Sequence, residues 1–335
     1  MIHHSNTSIG EAERRAVDRV INSGMITAGE ENRMFRQEFC RYIGAEYVKL
    51  TSSGTMAFFL ILKALDIKNG DEVLLPDYIC KDLLGPVFAI GAKPILYDNK
   101  ENSWLSSDEE ILSKVTPKTR LVIINHTFGF VFKDIKSLSE RLPVSVKIVE
   151  DCCHAIFSEK NPLKEFTRNS SVCCFYSFNA TKLLASGEGG AISSNDKSFI
   201  CKMEKMKIGD NLSDLSCAIA SVQLKSLDNF IDRRRYIAEI YSEEFKSVLS
   251  RDFLDNAGIY FRYPLMISEN QSFWGNKTVA YRKGVDSLLS GHINVETMPN
   301  AKSVYNKTVS IPIYPALDDK KVGKIVDETK KLLQL

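Results

Sequence analysis

The longest apolar run in this 335-residue chain is the seven residues Met56–Leu62. A helix needs roughly 20 such residues to cross a bilayer, so a membrane-spanning reading is excluded. Net charge is nearly absent: 44 basic against 42 acidic residues leave +2, and no general pull toward nucleic acid or anionic lipid follows. The start, Met1-Ile2-His3-His4-Ser5-Asn6, lacks the basic and apolar regions of a signal peptide, which predicts a cytoplasmic protein. No C-x-x-C spacing occurs among the eight cysteines, so neither a disulfide framework nor a common zinc ribbon is read from them. Reduced, mostly buried thiols are expected instead. Internal repeats, low-complexity segments and a phosphate-binding G-x-x-x-x-G-K loop are missing too. What is there is 44% apolar and 26% charged residues, an ordinary globular composition with length for about two domains.

Short β-rich runs recur at Val48–Leu50, Val73–Leu75, Pro94–Tyr97, Leu121–Asn125, Val146–Glu150, Val172–Ser177 and Gly190–Ser193. Their spacing leaves room for crossover helices, two of which are expected at Asp108–Val115 and Ile135–Leu142. Several runs are apolar throughout, as strands covered on both faces should be. The pattern predicts a doubly wound α/β layer architecture. After about residue 220 it changes: a long amphipathic helix is expected over Val222–Leu249, then a strand region at Ile259–Ile267. A final helix should run from Asp318, its N-cap, to Leu335. The expected domains are therefore 1–230 and a smaller α+β unit, 231–335.

Three segments carry chemistry. Thr51-Ser52-Ser53-Gly54-Thr55 follows a strand and opens an apolar helix; free N–H groups, the helix dipole and hydroxyls there suit a phosphate, although an ordinary N-cap reads the same way. Asp151 ends an apolar strand, at the sheet edge where open α/β proteins bind ligands. A carboxylate there can hold a positively charged ring nitrogen, with His154 three residues on; a zinc site from Cys152, Cys153 and His154 is the competing reading. Lys182 follows a buried strand, where desolvation would make its amine a nucleophile for a Schiff base, against the alternative of a solvated surface lysine. The cluster Gly187-Glu188-Gly189-Gly190 precedes a strand, so it is no dinucleotide fingerprint. An anion cradle, a carboxylate and an amine, all at strand ends, are the three groups a pyridoxal phosphate site needs.

In order and spacing, the chain resembles the DegT/DnrJ/EryC1/StrS sugar aminotransferases. The matching residues are Ser23-Gly24-Met25-Ile26-Thr27-Ala28-Gly29, Ser52–Thr55, Gly70–Val73 with Pro76, and Gly91–Pro94 up to Asp98. They continue through His126–Gly129, Glu150–Ala155, Ser177-Phe178 with Lys182, and Gly187–Gly190. Gln223-Leu224, the Arg234 region and Ile311–Pro315 complete the match. The resemblance implies the aspartate aminotransferase-like fold (PLP fold type I): a large domain with a mixed, mostly parallel seven-stranded sheet, plus the smaller domain. It implies pyridoxal 5′-phosphate as cofactor and Lys182 as the lysine that binds its aldehyde and shuttles the proton. Asp151 would face the ring nitrogen, Ser53, Gly54, Thr55 and Ser177 the phosphate, and His154 the ring. Cys80 occupies the position where many members stack an aromatic, and Asn211 stands for the Asn that reaches the partner subunit's phosphate, in a segment without the usual arginine. Thr27, Tyr78 and His126 are the implied substrate contacts. A homodimer with sites at the subunit boundary is implied, as are an amino-acid donor such as glutamate and a keto-sugar acceptor, most simply nucleotide-linked. No metal, nucleic acid or membrane partner is expected. The rival readings are a small phosphorylated ketone as acceptor, and a non-catalytic descendant of the fold.

Overall fold

The computed structural model describes residues 1–158, 171–206, 208, 211–250, 252–253, 258–267 and 273–335. Seven strands form one sheet: β1 (Tyr47–Thr51), β2 (Glu72–Pro76), β3 (Lys93–Tyr97), β4 (Thr119–Asn125), β5 (Lys147–Asp151), β6 (Cys173–Ser177) and β7 (Gly190–Ser194). Their spatial order is β1-β7-β6-β5-β4-β2-β3. The run from β3 to β6 is parallel, and β7 lies antiparallel between β6 and β1. Each of the seven expected strands is present, with ends within two residues of those expected; β5 and β6 start one residue later.

The apolar runs are covered on both faces, which is why they do not alternate with polar residues. Leu121 and Ile123 of β4 pack in one layer with Phe58 and Ile61 of α3 (Gly54–Ala64). Val122 and Ile124 pack in the opposite layer with Ile135 and Leu138 of the helix Ile135–Arg141. The adjacent cysteines of β6 divide likewise: Cys173 joins the α3 layer and Cys174 the layer of Phe35 and Phe39 from α2 (Glu30–Ile43). All eight cysteines are free.

Because β7 runs against both neighbours, β1 points the same way as the parallel strands. The loops after β1, β2, β4, β5 and β6 therefore open on one sheet edge, and β7 starts there at Gly190, opposite Ser177 and Thr51.

The long helix runs over Asp214–Glu244, eight residues earlier at its start than the apolar repeat at Val222 indicates, and it stops short of Leu249. Its first turns carry small buried residues, Cys217, Ala218 and Ala220, which pack closely but give no strong periodic signal. Leu224, Leu227 and Ile231 pack with the α2 layer. Ile237, Ala238 and Tyr241 pack with Tyr263, Val309, Ile311 and Ile325 around the two-stranded sheet of β8 (Tyr263–Met266) and β9 (Thr308–Ile311). The helix thus changes packing partner between Ile231 and Ile237. Asp318 caps the last helix, Asp319–Leu333, by accepting from Lys321 N–H. The chain start departs from a contiguous division near residue 230: Ile2 bridges Val279, and His4 Nε2 lies 3.0 Å from Ser310 Oγ, so these residues attach to the C-terminal layer.

Candidate active site

A cavity of about 380 Å³ opens at the sheet edge where the strand ends converge. The residues at its wall include Ser53, Gly54, Thr55, Cys80, Asp151, His154, Ser177 and Lys182, which sequence reasoning had singled out from separate segments. Tyr78 and His126 line it too. Thr27 and Asn211 do not. Both are exposed, and the Thr27 carbonyl accepts from Asp214 N–H at 3.1 Å, three residues after Asn211. The stretch Ile208–Ser213 is described only at Ile208 and from Asn211 on; Gly209 and Asp210 lie outside the described residues.

The anion cradle is built by the turn into α3. Ser53 Oγ accepts from Met56 N–H, capping the helix, while the Gly54 and Thr55 N–H groups have no helical partner and Thr55 is exposed to the cavity. The capping and phosphate readings are therefore compatible. Two glycines make the fit possible. A Cβ on Gly54 would lie 3.0 Å from Ser177 Cβ, and one on Gly190 would lie 2.6 Å from the Ser53 carbonyl carbon and 2.7 Å from Gly54 N. β7 thus presses its first residue against the cradle's backbone.

Asp151 ends β5 with one carboxylate oxygen, Oδ1, accepting from Cys153 N–H at 2.9 Å. This bond fixes the carboxylate at the cavity wall. The vicinal cysteines do not support the zinc alternative: Cys152 is buried in the α2 layer, and Cys153 lines the cavity on the other side. His126, Glu150 and Cys152 do lie close together in the interior. There His126 Nδ1 accepts from Phe132 N–H, which puts the ring proton on Nε2, 3.0 Å from Glu150 Oε2. Both ring nitrogens of His126 are thereby engaged within the protein.

His154 stacks on Phe261 with ring centroids 4.2 Å apart, and its Nδ1 accepts weakly from Phe128 N–H. Burial, followed by the positive charges of Lys182 and Arg262, holds its pKa well below 6.5, so the imidazole is neutral. The loop behind it is strained: Phe128 has φ +59°, unusual for an aromatic residue, and Gly129 has φ +92°. A Cβ on Gly129 would press on Ile259 and on Tyr260 N. This corner lets the Phe128 carbonyl accept from Phe261 N–H and tie the segment carrying Phe261 and Arg262 to the sheet.

Lys182 is presented by a tight turn. Its N–H donates to Asn179 O at 2.8 Å, and Asn179 Oδ1 accepts from Thr181 N–H. Bonds from Ala180 N to Gly187 O and from Phe178 N to Gly189 O close the loop, with Gly187 and Gly189 at positive φ. The lysine ammonium lies 5.0 Å from the centre of the Phe261 ring. It is partly buried at the cavity wall, not a freely solvated surface lysine.

Tyr78 is fully buried, stands edge-on to Phe128, and among the described residues no hydrogen bond is made by its hydroxyl. Gly284 is required beside it, since a Cβ there would come within 2.0 Å of the hydroxyl. Arg262 and Arg282 also line the cavity, and sequence reasoning missed them. The available signal was a lone charge inside the apolar run Ile259–Ile267. Burial lowers the Arg262 pKa from its ordinary value, and its Nη1 donates to Lys283 O and Gly284 O.

An anion nest, a fixed carboxylate, a neutral imidazole and a primary amine around one cavity match the phosphate, ring nitrogen, ring face and aldehyde of pyridoxal phosphate. The model of the DegT/DnrJ/EryC1/StrS aminotransferase family matches residues 7–281. The spore coat polysaccharide biosynthesis protein SpsC of Bacillus subtilis is 25% identical, over 97% of this chain and 95% of that protein. The aminotransferase TlmJ from Streptoalloteichus hindustanus superposes with a TM-score of 0.87 at 23% identity, covering 100% of this chain and 99% of TlmJ. Spr1654 from Streptococcus pneumoniae, in its PLP form, gives 0.86 at 19% identity over 99% and 98%.

Proposed function

The chain belongs to the DegT/DnrJ/EryC1/StrS aminotransferase family and is a pyridoxal phosphate-dependent aminotransferase; from that premise we propose that it moves the amino group of an amino acid, L-glutamate, onto the carbonyl of a nucleotide-linked keto-sugar. The observation that carries the assignment of roles is the single cavity shared by Lys182, Asp151 and the Ser53–Thr55 cradle. The likeness to a polysaccharide biosynthesis protein supports a sugar acceptor.

When bound, the cofactor supplies an aldehyde carbon that carries the amino group and a ring that draws off the electron pair left on the donor carbon. Gly54 and Thr55 N–H groups, with the Thr55 and Ser177 hydroxyls, would hold its phosphate, and Ser53 fixes the helix start that presents them. Asp151 would hold the ring nitrogen and keep it protonated. The neutral His154 imidazole would lie beside the ring without adding charge. Lys182 Nζ takes the proton from the donor's Cα and returns one when the acceptor is loaded. Cys80, at the cavity wall, leaves one ring face without an aromatic neighbour from that position. Arg262 and Arg282 bring positive charge that suits anionic substrates.

Thr27 and Asn211 belong, in this reading, to a second copy's site. Exposed Ile21, Met25, Ile26 and Met34 surround Thr27 along the chain, an apolar surface suited to a homodimer. The eight free cysteines accord with a cytoplasmic location, and among the described residues no helix is long and apolar enough to cross a membrane. Incubating the holoenzyme with glutamate and a panel of nucleotide-linked keto-sugars and small phosphorylated ketones tests the reading. Amine product from the keto-sugars is expected; product from small ketones alone would overturn the choice of acceptor.

A further inference from the structure

The chain start reaches the turn that presents Lys182. Residues 2–8 run as a strap that leaves the C-terminal layer and ends on the long helix. Ile2 N–H donates to Thr278 O at 2.7 Å, and the Ile2 carbonyl accepts from Ala280 N–H at 2.9 Å. His4 Nε2 lies 3.0 Å from Ser310 Oγ. On the other side of Thr7, the Ser8 carbonyl accepts from Gln223 Nε2 at 2.8 Å, and the same amide donates to Glu13 Oε1 at 2.6 Å. Thr7 is therefore held from both sides. Its hydroxyl donates to the carbonyl of Ala180 at 2.6 Å, across 173 positions of sequence.

That carbonyl belongs to the middle of the lysine turn. Lys182 N–H donates to Asn179 O, so Asn179 and Lys182 are the first and last residues of the turn, and Ala180 and Thr181 its central pair. The peptide between the central residues, Ala180 C=O with Thr181 N–H, takes no part in the bond that closes the turn. Its orientation depends on what its two ends find. The N–H donates to Asn179 Oδ1 at 3.3 Å, and the C=O accepts from Thr7 Oγ1. Asn179 is itself fixed, its Nδ2 donating to Glu188 Oε1 at 3.2 Å. Neither Ala180 nor Thr181 has a positive φ, and flipping this peptide would force one on Thr181, a β-branched residue. Tilt is the freedom that remains. Both central residues are exposed, so packing does not remove that tilt, whereas bonds at opposite ends of the peptide do.

We infer that Thr7 is a positioning residue for Lys182: together with Asn179 it clamps the central peptide of the lysine turn from both ends, and so sets where the amine stands in the cavity. Thr7 is not among the residues lining the cavity of Lys182 and Asp151; it acts through the turn. The inference rests on the aminotransferase reading only for the consequence of that placement, proton transfer at Lys182 Nζ, which depends closely on geometry.

Thr7→Val keeps the β-branch and removes the donor, and Thr7→Ser keeps the donor. The first readout does not depend on turnover: amide hydrogen exchange of the holoenzyme, followed in the peptide that spans Asn179–Lys182. Loss of one hydrogen bond should speed exchange there by about three- to ten-fold in Thr7→Val, with peptides of the central sheet unchanged and Thr7→Ser close to the parent. The second readout is steady-state amino transfer from glutamate with saturating cofactor. In Thr7→Val kcat should fall by about three- to ten-fold while KM for glutamate holds, as for a misplaced amine rather than a lost binding contact, and Thr7→Ser should restore it. Exchange or kcat at the parent's value in Thr7→Val, or a defect that Thr7→Ser shares, overturns the inference. A parent protein that transfers no amino group, with exchange in the turn still dependent on the Thr7 hydroxyl, would overturn the activity and leave the clamp standing.

Discussion

A Cβ on Gly190 would meet the Ser53 carbonyl at 2.6 Å, and the listless appearance of a glycine at a strand start hides this contact with the cofactor cradle. Gly190→Ala must therefore move backbone on one side or the other. We expect a loss of about 1–3 kcal/mol in stability, typical of overpacking, together with weaker cofactor binding; a thermal melt and a cofactor titration equal to those of the parent would contradict the account. Lys182→Ala should lower the rate of amino transfer by at least about a thousand-fold, the scale of a lost general acid–base group, measured as product per unit time with saturating cofactor. His4 gives a pH signature. Its folded-state pKa is about 3 against 6.5 for the free side chain, so between those values the unfolded chain binds more protons and stability falls as pH drops. The slope from this one group is about 1.4 kcal/mol per pH unit. Urea melts at several pH values should show a flatter dependence in His4→Gln; an identical dependence would refute the buried neutral state.

At the scale of elements, the strands were legible because each is buried on both faces and reads as an unbroken apolar run. The candidate site was legible as a place because Asp151, Ser177 and the Ser53–Thr55 turn sit at strand ends that line one cavity. Other parts depend on contacts between distant segments. The long helix starts early because Ser213 caps it and small residues carry its first turns. Arg262 and Arg282 reach the site from the C-terminal layer, and no local pattern announces that. Asp214 shows the same limit. Its carboxylate accepts from the N–H groups of Gly29, Glu31 and Asn32, capping α2 from 185 residues away in the case of Gly29. Asp214→Ala should cost about 1–3 kcal/mol by orphaning these donors, seen as a lower urea midpoint; an unchanged midpoint would show that water replaces the carboxylate without loss.

For the whole molecule, the folded chain brings the residues proposed to face the cofactor into one cavity but leaves Thr27 and Asn211 outside it, beside an exposed apolar stretch. Met25 is 61% exposed and Ile21 57%. If these residues meet a second copy, Met25→Asp should shift sedimentation from dimer toward monomer and lower activity with it, whereas a parent protein that sediments as a monomer would remove the subunit-boundary reading. The family match over residues 7–281 fixes the class of reaction, and the assignment of roles within the cavity is what needs the most direct test. That test is the absorption spectrum of the purified holoenzyme before and after adding glutamate, recorded alongside Lys182→Ala. The account predicts a lysine-bound cofactor band that disappears on glutamate addition in the parent and is missing from the start in the variant. A parent spectrum unmoved by glutamate and matched by Lys182→Ala would contradict it.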